Sequence, residues 1–301
     1  MLNVYEMVDR NKKKSAGVVI GFMLFITLVS YVFAYNFGYG LSVVGWALVI
    51  SGLMSFFSYY YSDKIILTLS GARPADRKRD FNFYTVAENL AMAAQLPLPK
   101  LYVIDDTAMN AFATGRDPKH AVVVATRGLL ERLDRSELEG VIAHELSHIR
   151  NYDMLLMSIV TILVGLITLL ADMFLRWGRF SSRDERREGN QITAIVFVVG
   201  VVLALLSPLI ASLIKLAISR RREFLADASG VQITRFPDGL ARALEKIAHD
   251  KEPLEAANKA TANLYIANPL KNHHDAIGWF GGLFSTHPPI EERIKALRSM
   301  Q

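Results

Sequence analysis

One short pattern in the sequence is typical of metal-dependent hydrolysis, His144-Glu145-Leu146-Ser147-His148. Residues four apart share one face of an α-helix, so both imidazoles can bind a single ion, and Glu145 stands beside them to take a proton from a bound water. A chance H-E-x-x-H match in a chain of this length arises on the order of once in a hundred sequences. The pattern therefore predicts a hydrolytic metal site.

A catalytic zinc needs a third protein ligand and one open position. The chain has no cysteine, so the third ligand must be a histidine or a carboxylate. Glu223 is the strongest candidate, because Asp227 follows one helical turn later and could orient a ligand imidazole through its second nitrogen. Such a pair alone more often belongs to a solvated helix face. In a chain with H-E-x-x-H it favours one Zn²⁺ per chain, with Glu145 as general base.

Four apolar stretches are long enough to cross a bilayer, which takes about 20 residues. They run over about 16–35, 41–61, 154–175 and 192–218. A buried core helix is the alternative for each, and a cleaved signal peptide for the first, but the lengths argue against both. The predicted parts are a membrane hairpin 1–61, a cytoplasmic protease domain 62–153, a second membrane hairpin 154–218 and a cytoplasmic C-terminal part 219–301.

The second predicted hairpin explains how distant ligands can meet. His148 lies six residues before the third span, and Glu223 lies about five residues after the fourth. At about 1.5 Å per helical residue, both lie within roughly 10 Å of the bilayer surface. A hairpin returns the chain to the face it left, whereas one or three spans would separate Glu223 from the histidines.

Lys and Arg near the span ends indicate which side faces the cytoplasm. They cluster before the first span, after the second and after the fourth, while 36–40 has no charge. Both termini and 62–153 are therefore expected in the cytoplasm, beside the lipid bilayer, and nothing in the basic residues suits nucleic acid. The 176–191 loop has five arginines yet must face outwards, which favours a shallow or tilted second hairpin.

The segment 62–153 has the pattern of a mixed domain. A helix ends near Leu96, strands are expected at 101–104 and 121–124, and 110–115 between them suits an edge strand. The metal helix is predicted to begin near Ser136, with Glu139 as its capping partner. The expected fold class is α+β and predominantly helical: four transmembrane helices with a zincin-type cytoplasmic metalloprotease domain that contains a small β-sheet.

Four motifs, in the same order, resemble the HtpX family of integral inner-membrane zinc proteases of bacteria, which are related to the CAAX prenyl endoproteases. The motifs are Asn-Ala-Phe-Ala-Thr-Gly at 110–115, H-E-x-x-H at 144–148, Glu-Phe-Leu-Ala-Asp at 223–227 and Ser-Thr-His-Pro-Pro at 285–289. The resemblance covers nearly the whole chain. It implies zinc ligation by His144, His148 and Glu223, catalysis by Glu145, and ATP-independent cleavage of damaged or misfolded membrane proteins on the cytoplasmic side under stress.

Three further residues have two interpretations each. Asn110 and its neighbours could hold a substrate backbone by strand addition, or form an ordinary turn. His287 could stabilise an oxyanion or contact substrate, or its Pro-rich run could simply begin the final helix. Asp153 could support a metal ligand or lie at the membrane interface.

Other functions compete with a quality-control protease that cleaves membrane-protein or peptide substrates. A CAAX-type processing protease resembles the chain in its catalytic motifs, but those enzymes have more spans. An inactive membrane scaffold would not need Glu145. A transporter subunit would have ionisable residues deep within its spans, and the centres of all four stretches lack them.

Overall fold

A computed structural model describes residues 4–37, 40–163, 165, 220–250, 252, 254, 261, 264–267 and 288–300. Of the second predicted hairpin, this part of the chain includes only the beginning of the third apolar stretch. The fourth stretch and His287 lie outside the described residues.

Two long apolar helices come first, α1 (Val4–Phe37) and α2 (Ser42–Tyr60). Segments Val8–Val32 and Ser42–Tyr60 are long and apolar enough to cross a membrane. Only 11% and 17% of their most apolar windows are buried, whereas the core helix of a soluble protein would be mostly buried. The buried residues of α2 are all serines, so this helix directs its apolar side chains outwards. A helix with polar residues inside and apolar residues outside is the opposite of a soluble core helix and suits contact with lipid.

The remaining elements form a mostly helical domain with a small sheet. Its helices are α3 (Ser62–Leu69), α4 (Phe81–Ala93), α5 (Arg127–Arg132), α6 (Arg135–Arg150), α7 (Asp153–Leu163), α8 (Arg220–Thr234), α9 (Pro237–His249) and α10 (Ile290–Arg298), and its strands are β1 (Arg73–Pro74), β2 (Lys100–Ile104), β3 (Ala111–Thr114) and β4 (Val122–Thr126).

The sheet has the order β1-β2-β4-β3 and mixed direction. β2 and β4 are parallel, with Leu101 opposite Val123, while β1 and β3 pair antiparallel with their neighbours. The strands predicted at 101–104 and 121–124 are confirmed to within two residues, and β3 is the predicted edge strand. Its outer side is partly covered, because the Ile266 N–H donates to the Ala111 carbonyl oxygen at 2.9 Å.

Side chains on the two faces of the sheet enter two different cores. On one face, Val123 packs in a cluster with residues of α4, α6, α9 and α10. On the other face, Val122 and Val124 pack with residues of α3 and α7 and with Phe22 of α1. The sheet therefore lies between two groups of helices, with α1 on the side of α3 and α7. The first apolar helix reaches the end of α6 separately, where the Asn11 side-chain amide donates to the Asn151 carbonyl at 2.8 Å.

α6 begins at Arg135, within one residue of its predicted start, but its capping pair differs from the prediction. Asp134, rather than Ser136, caps the helix by accepting from the Glu137 N–H at 2.9 Å, and Glu137 accepts from the Asp134 N–H at 2.8 Å. The Ser136 hydroxyl instead donates to Asp134, and Glu139 pairs with Arg135. The predicted capping pair was wrong because a carboxylate two residues earlier forms the same reciprocal box. The predicted position of H-E-x-x-H on this helix is confirmed.

Candidate metal centre

Two crossing helices bring the metal candidates together: α6 has the H-E-x-x-H residues and α8 has Glu223. They approach closely at Gly230, where an added Cβ would lie 3.1 Å from the His144 amide nitrogen and 3.3 Å from the Ala143 carbonyl carbon. Both separations are tighter than ordinary contacts, so a side chain at this position would push α8 away from α6. Glycine at the crossing therefore allows the first two turns of α8 to reach the histidines.

The three predicted ligands form one buried cluster. The His144 Nε2 and His148 Nε2 atoms are 3.2 Å apart, and Glu223 oxygens lie 3.7 Å and 3.6 Å from them. Each residue is at least 95% buried. Zinc–nitrogen bonds of about 2.0–2.1 Å in a tetrahedral site would place ligand atoms roughly 3.3 Å apart. The donor set and its spacing thus fit a divalent ion of this kind.

Asp227 and Arg293 stand behind His144, and we call these three residues the Asp227 cluster. Asp227 Oδ1 lies 2.9 Å from His144 Nδ1, which leaves Nε2 directed at the ligand cluster. Arg293 donates to both oxygens of Asp227, at 2.9 Å from Nε and 2.7 Å from Nη2. Burial would raise the pKa of Asp227, but Arg293 and His144 outweigh it and lower this pKa to about 2. Asp227 therefore stays ionised, in the position that an orienting role requires.

His148 has a different support, the Asp153 cluster of His148, Asp153, Arg222 and Asn11. Asp153 Oδ2 lies 3.4 Å from His148 Nδ1. The other Asp153 oxygen accepts from Arg222 at 3.1 Å and from the Asn11 side-chain amide at 2.7 Å. That amide also donates to the Asn151 carbonyl at 2.8 Å. Since Asn11 belongs to α1, a buried polar chain connects the first apolar helix with a metal-ligand candidate.

The electrostatic environment shifts the pKa values of the two histidines in opposite directions. Burial, together with Arg293, lowers the pKa of His144 to about 4, so this imidazole is neutral and able to bind a metal. Burial would also lower the pKa of His148, but the carboxylates of Asp153, Glu223 and Glu145 outweigh it and raise this pKa to about 9. A site with this much carboxylate charge attracts cations.

Glu145 lies beside the ligands and is 98% buried, since its exposed fraction is 2%. Burial raises the pKa of Glu145 to about 7, and Glu223 acts in the same direction, although His148, Arg293 and a hydrogen bond from the Ala113 backbone oppose it. A carboxylate with a pKa near neutrality is suited to general acid–base catalysis.

One substrate candidate, Asn110, makes its hydrogen bonds away from this cluster. The buried Asn110 side chain donates to the Ala267 carbonyl at 3.0 Å and accepts from the Ala111 N–H at 3.1 Å. Asn110 therefore joins the start of β3 to segment 264–267 rather than facing the ligand atoms. The other candidate, His287, is not among the described residues.

Sequence reasoning missed three residues of the support: Arg293, Arg222 and Asn11. The sequence does contain a hint of Arg293, because its spacing from Ile290 and Leu297 places it on the apolar face of α10. In the structure this arginine is fully buried. An arginine on an apolar helix stripe is rarely buried unless it is paired. Arg222 and Asn11 left no such signal, since their partners are 69 and 142 residues away along the chain.

A helix that presents two imidazoles and a carboxylate in an H-E-x-x-H motif, packed beside a small mixed sheet, is typical of metal-dependent hydrolases of the zincin type. The model of peptidase family M48 matches residues 77–301. The chain belongs to peptidase family M48, and it is a metalloprotease.

Two relatives match along nearly their whole length. A protease HtpX homolog of Caldanaerobacter subterraneus is 43% identical over 299 residues, which cover 99% of this chain and 98% of the relative. One of Dictyoglomus thermophilum is 45% identical over 300 residues, covering 98% and 94%. The crystal structure of S. mikatae Ste24p is similar with a TM-score of 0.48 at 20% identity, covering 97% of this chain and 67% of that one. The predicted resemblance to the HtpX family is confirmed.

Proposed function

We propose that this chain is a zinc endopeptidase of the bacterial inner membrane, which cleaves misfolded or damaged membrane proteins on the cytoplasmic side during quality control and stress. One observation supports this most directly. The buried His-His-Glu cluster is connected, through Asp153, to Asn11 on an apolar helix that is largely exposed. Because the proposed metal ligands are connected to a membrane helix, the active site would lie next to the bilayer and so next to membrane-protein substrates.

In the proposed reaction His144, His148 and Glu223 would hold the zinc. When bound, zinc supplies Lewis acidity that lowers the pKa of a water and polarises a peptide carbonyl. Glu145 accepts a proton from the attacking water and returns it to the leaving amine. Asp227 and Asp153 would keep the two imidazoles turned so that each Nε2 faces the Glu223 carboxylate.

Substrate backbone is proposed to add along the outer edge of β3. The Ala113 backbone contacts Glu145, so this end of the edge leads directly to the proposed base. The Ala111 carbonyl is already used by Ile266, so the added strand pairs from Ala113 onwards. Main-chain pairing tolerates many sequences, as a quality-control enzyme needs. Asn110 would support this strand from behind, and His287 would contact the substrate or its oxyanion.

The catalytic proposal is tested with Glu145→Gln in the full chain, reconstituted with an unfolded membrane-protein substrate. Proteolysis should fall by about 10²–10⁴-fold, the usual contribution of a general acid–base group, while one zinc per chain is retained. The matched control is Glu139→Gln on the same helix, which removes a partly exposed partner of Arg135 and should leave both readouts unchanged. Proteolysis that is equal in wild type and Glu145→Gln would refute the assignment.

The cytoplasmic orientation of the protease domain has a separate test. The chain has no cysteine, so a single introduced cysteine reports the side on which it lies. A single cysteine at Lys78 should react with an impermeant maleimide only in inverted vesicles, and one at Gly40 only in intact spheroplasts. A third cysteine at Ser181 should behave like the one at Gly40 if the second hairpin is complete. Labelling of the Lys78 position from outside would contradict the cytoplasmic orientation.

A further inference from the structure

A cavity of about 1110 Å³ lies where α1 and α2 meet the protease domain. Its walls come from these two helices, the start of α7 and two loops of the domain at 95–97 and 116–119. His144, Glu145, His148 and Glu223 do not line it, so it is distinct from the metal centre.

The part of the cavity between the helices is apolar. Its lining there consists of Val19, Ile20, Met23, Phe56, Leu155 and Ile159. Ser55 also lines it; the residue is 4% exposed, and its hydroxyl has no hydrogen-bond partner within the described part of the chain. This hydroxyl oxygen is itself closed off from solvent, so this part of the cavity presents a largely apolar surface that suits an acyl chain.

The end of the cavity next to the domain is basic and aromatic. Lys12, Arg116 and Lys119 line it together with three tyrosines. Lys12 Nζ lies 4.5 Å from the centre of the Tyr152 ring, and Arg116 donates to the Tyr60 carbonyl at 3.1 Å. The acidic lining residue, Asp117, accepts from the Lys119 and His120 backbone N–H groups and lies 3.5 Å from Arg116 Nε, so it offsets one of the three basic charges. Positive charge therefore exceeds negative charge at this end.

We propose that this cavity binds one anionic phospholipid. Lys12, Arg116 and Lys119 would contact the headgroup phosphate, and an acyl chain would lie against the apolar side chains of α1 and α2. Basic pockets between membrane helices recognise anionic headgroups in this way, and tyrosines favour the same depth of the bilayer. Lys12 directly follows Asn11, so the bound headgroup holds the turn of α1 that supports Asp153.

Native mass spectrometry of the full chain in mild detergent tests this, with phosphatidylglycerol, phosphatidylcholine and inorganic phosphate as separate probes. We expect one phosphatidylglycerol per chain. Lys12→Gln and Lys119→Gln should each weaken its binding about fivefold. The matched controls are Lys13→Gln, whose lysine pairs with Asp9 on the same helix, and Lys78→Gln on the domain surface. Both controls should bind like wild type.

A second pair of variants tests the acyl chain. Gly52 lines the cavity, and a side chain there would grow towards Met23, whereas Gly45 on the same helix has no atom within 4 Å of an added Cβ. Gly52→Phe should abolish lipid retention, and Gly45→Phe should preserve it. Glu145→Gln should also retain the lipid, so the result is independent of proteolysis.

Three outcomes would overturn the proposal. Equal retention of phosphatidylcholine by wild type and both lysine variants would mean an unspecific lipid layer. Binding of inorganic phosphate with the same dependence on Lys12 and Lys119, but no lipid, would mean a site for free anions. Cross-linking from a photoreactive residue at Ile20 to the membrane segment of a substrate, with no lipid retained, would make the cavity part of the substrate path.

Discussion

The two histidines of the metal centre are supported in different ways. In the Asp227 cluster, the carboxylate lies 2.9 Å from the imidazole and a fully buried arginine holds both of its oxygens. In the Asp153 cluster, the carboxylate is 3.4 Å from the imidazole and its second oxygen is shared by Arg222 and Asn11. One support belongs wholly to the protease domain, whereas the other depends on a membrane helix.

This difference suggests that the two histidines respond differently to movement of the membrane helices. His144 is fixed by short contacts among α6, α8 and α10, so we expect it to remain in place whatever the membrane part does. His148 is held through a longer contact that includes α1. Displacement of α1 should therefore reach the metal through His148, and the following variants test this in order of expected effect.

Arg293→Met should have the largest effect. It leaves the buried Asp227 carboxylate without its cationic partner, and breaking a buried pair in this way typically costs about 3–5 kcal/mol of stability. The measurement is thermal or denaturant unfolding of the full chain in detergent. Arg298→Met is the matched control on the same helix, because it removes an exposed pair with Glu245 and should change stability by about 1 kcal/mol or less. Similar losses in both variants would show that the buried pair has no special importance.

Asp227→Asn should weaken metal binding by about 10–100-fold, since partners that orient a ligand imidazole contribute this much. The amide nearly preserves the shape of the carboxylate but removes its charge at His144 Nδ1. Metal content after competition with a graded chelator series measures the effect. Asp238→Asn on α9, whose carboxylate pairs with Arg242, is the control and should behave like wild type.

Asp153→Asn should have a smaller effect, about tenfold, at the lower end of the same range. Its contact with the imidazole is longer, and Asn11 still donates to the neighbouring Asn151 carbonyl. The same chelator competition applies. If Asp153→Asn weakened metal binding more than Asp227→Asn, the proposed ranking of the two supports would be reversed.

Asn11→Ala should have the smallest effect on the metal, less than about tenfold, because it acts through Asp153. It should still cost stability, about 1.5–3 kcal/mol for a hydrogen bond to a charged group. Arg10→Ala, the exposed preceding residue, serves as control. No change in either metal affinity or stability would mean that α1 does not support the site.

How much of this the sequence predicts depends on the range of the interactions. His144, His148 and Asp227 were predictable because helical spacing places them on shared faces, and the apolar stretches predicted that Glu223 would return to them. The edge position of β3 followed from its short length between two buried strands. Asn11 and Arg222 were not predictable, because nothing local distinguishes them from other polar residues beside an apolar run. The capping pair of α6 failed for the opposite reason: several acidic and hydroxyl residues near Asp134 compete for one position.

The length and direction of α6 have one more consequence. The helix begins at the Asp134 cap and ends at Arg150, so both histidines lie in its last two turns. Peptide dipoles along a helix add up to roughly half a negative charge at its carboxyl end. The backbone itself thus contributes a potential that favours a cation at the ligand cluster and disfavours an anion.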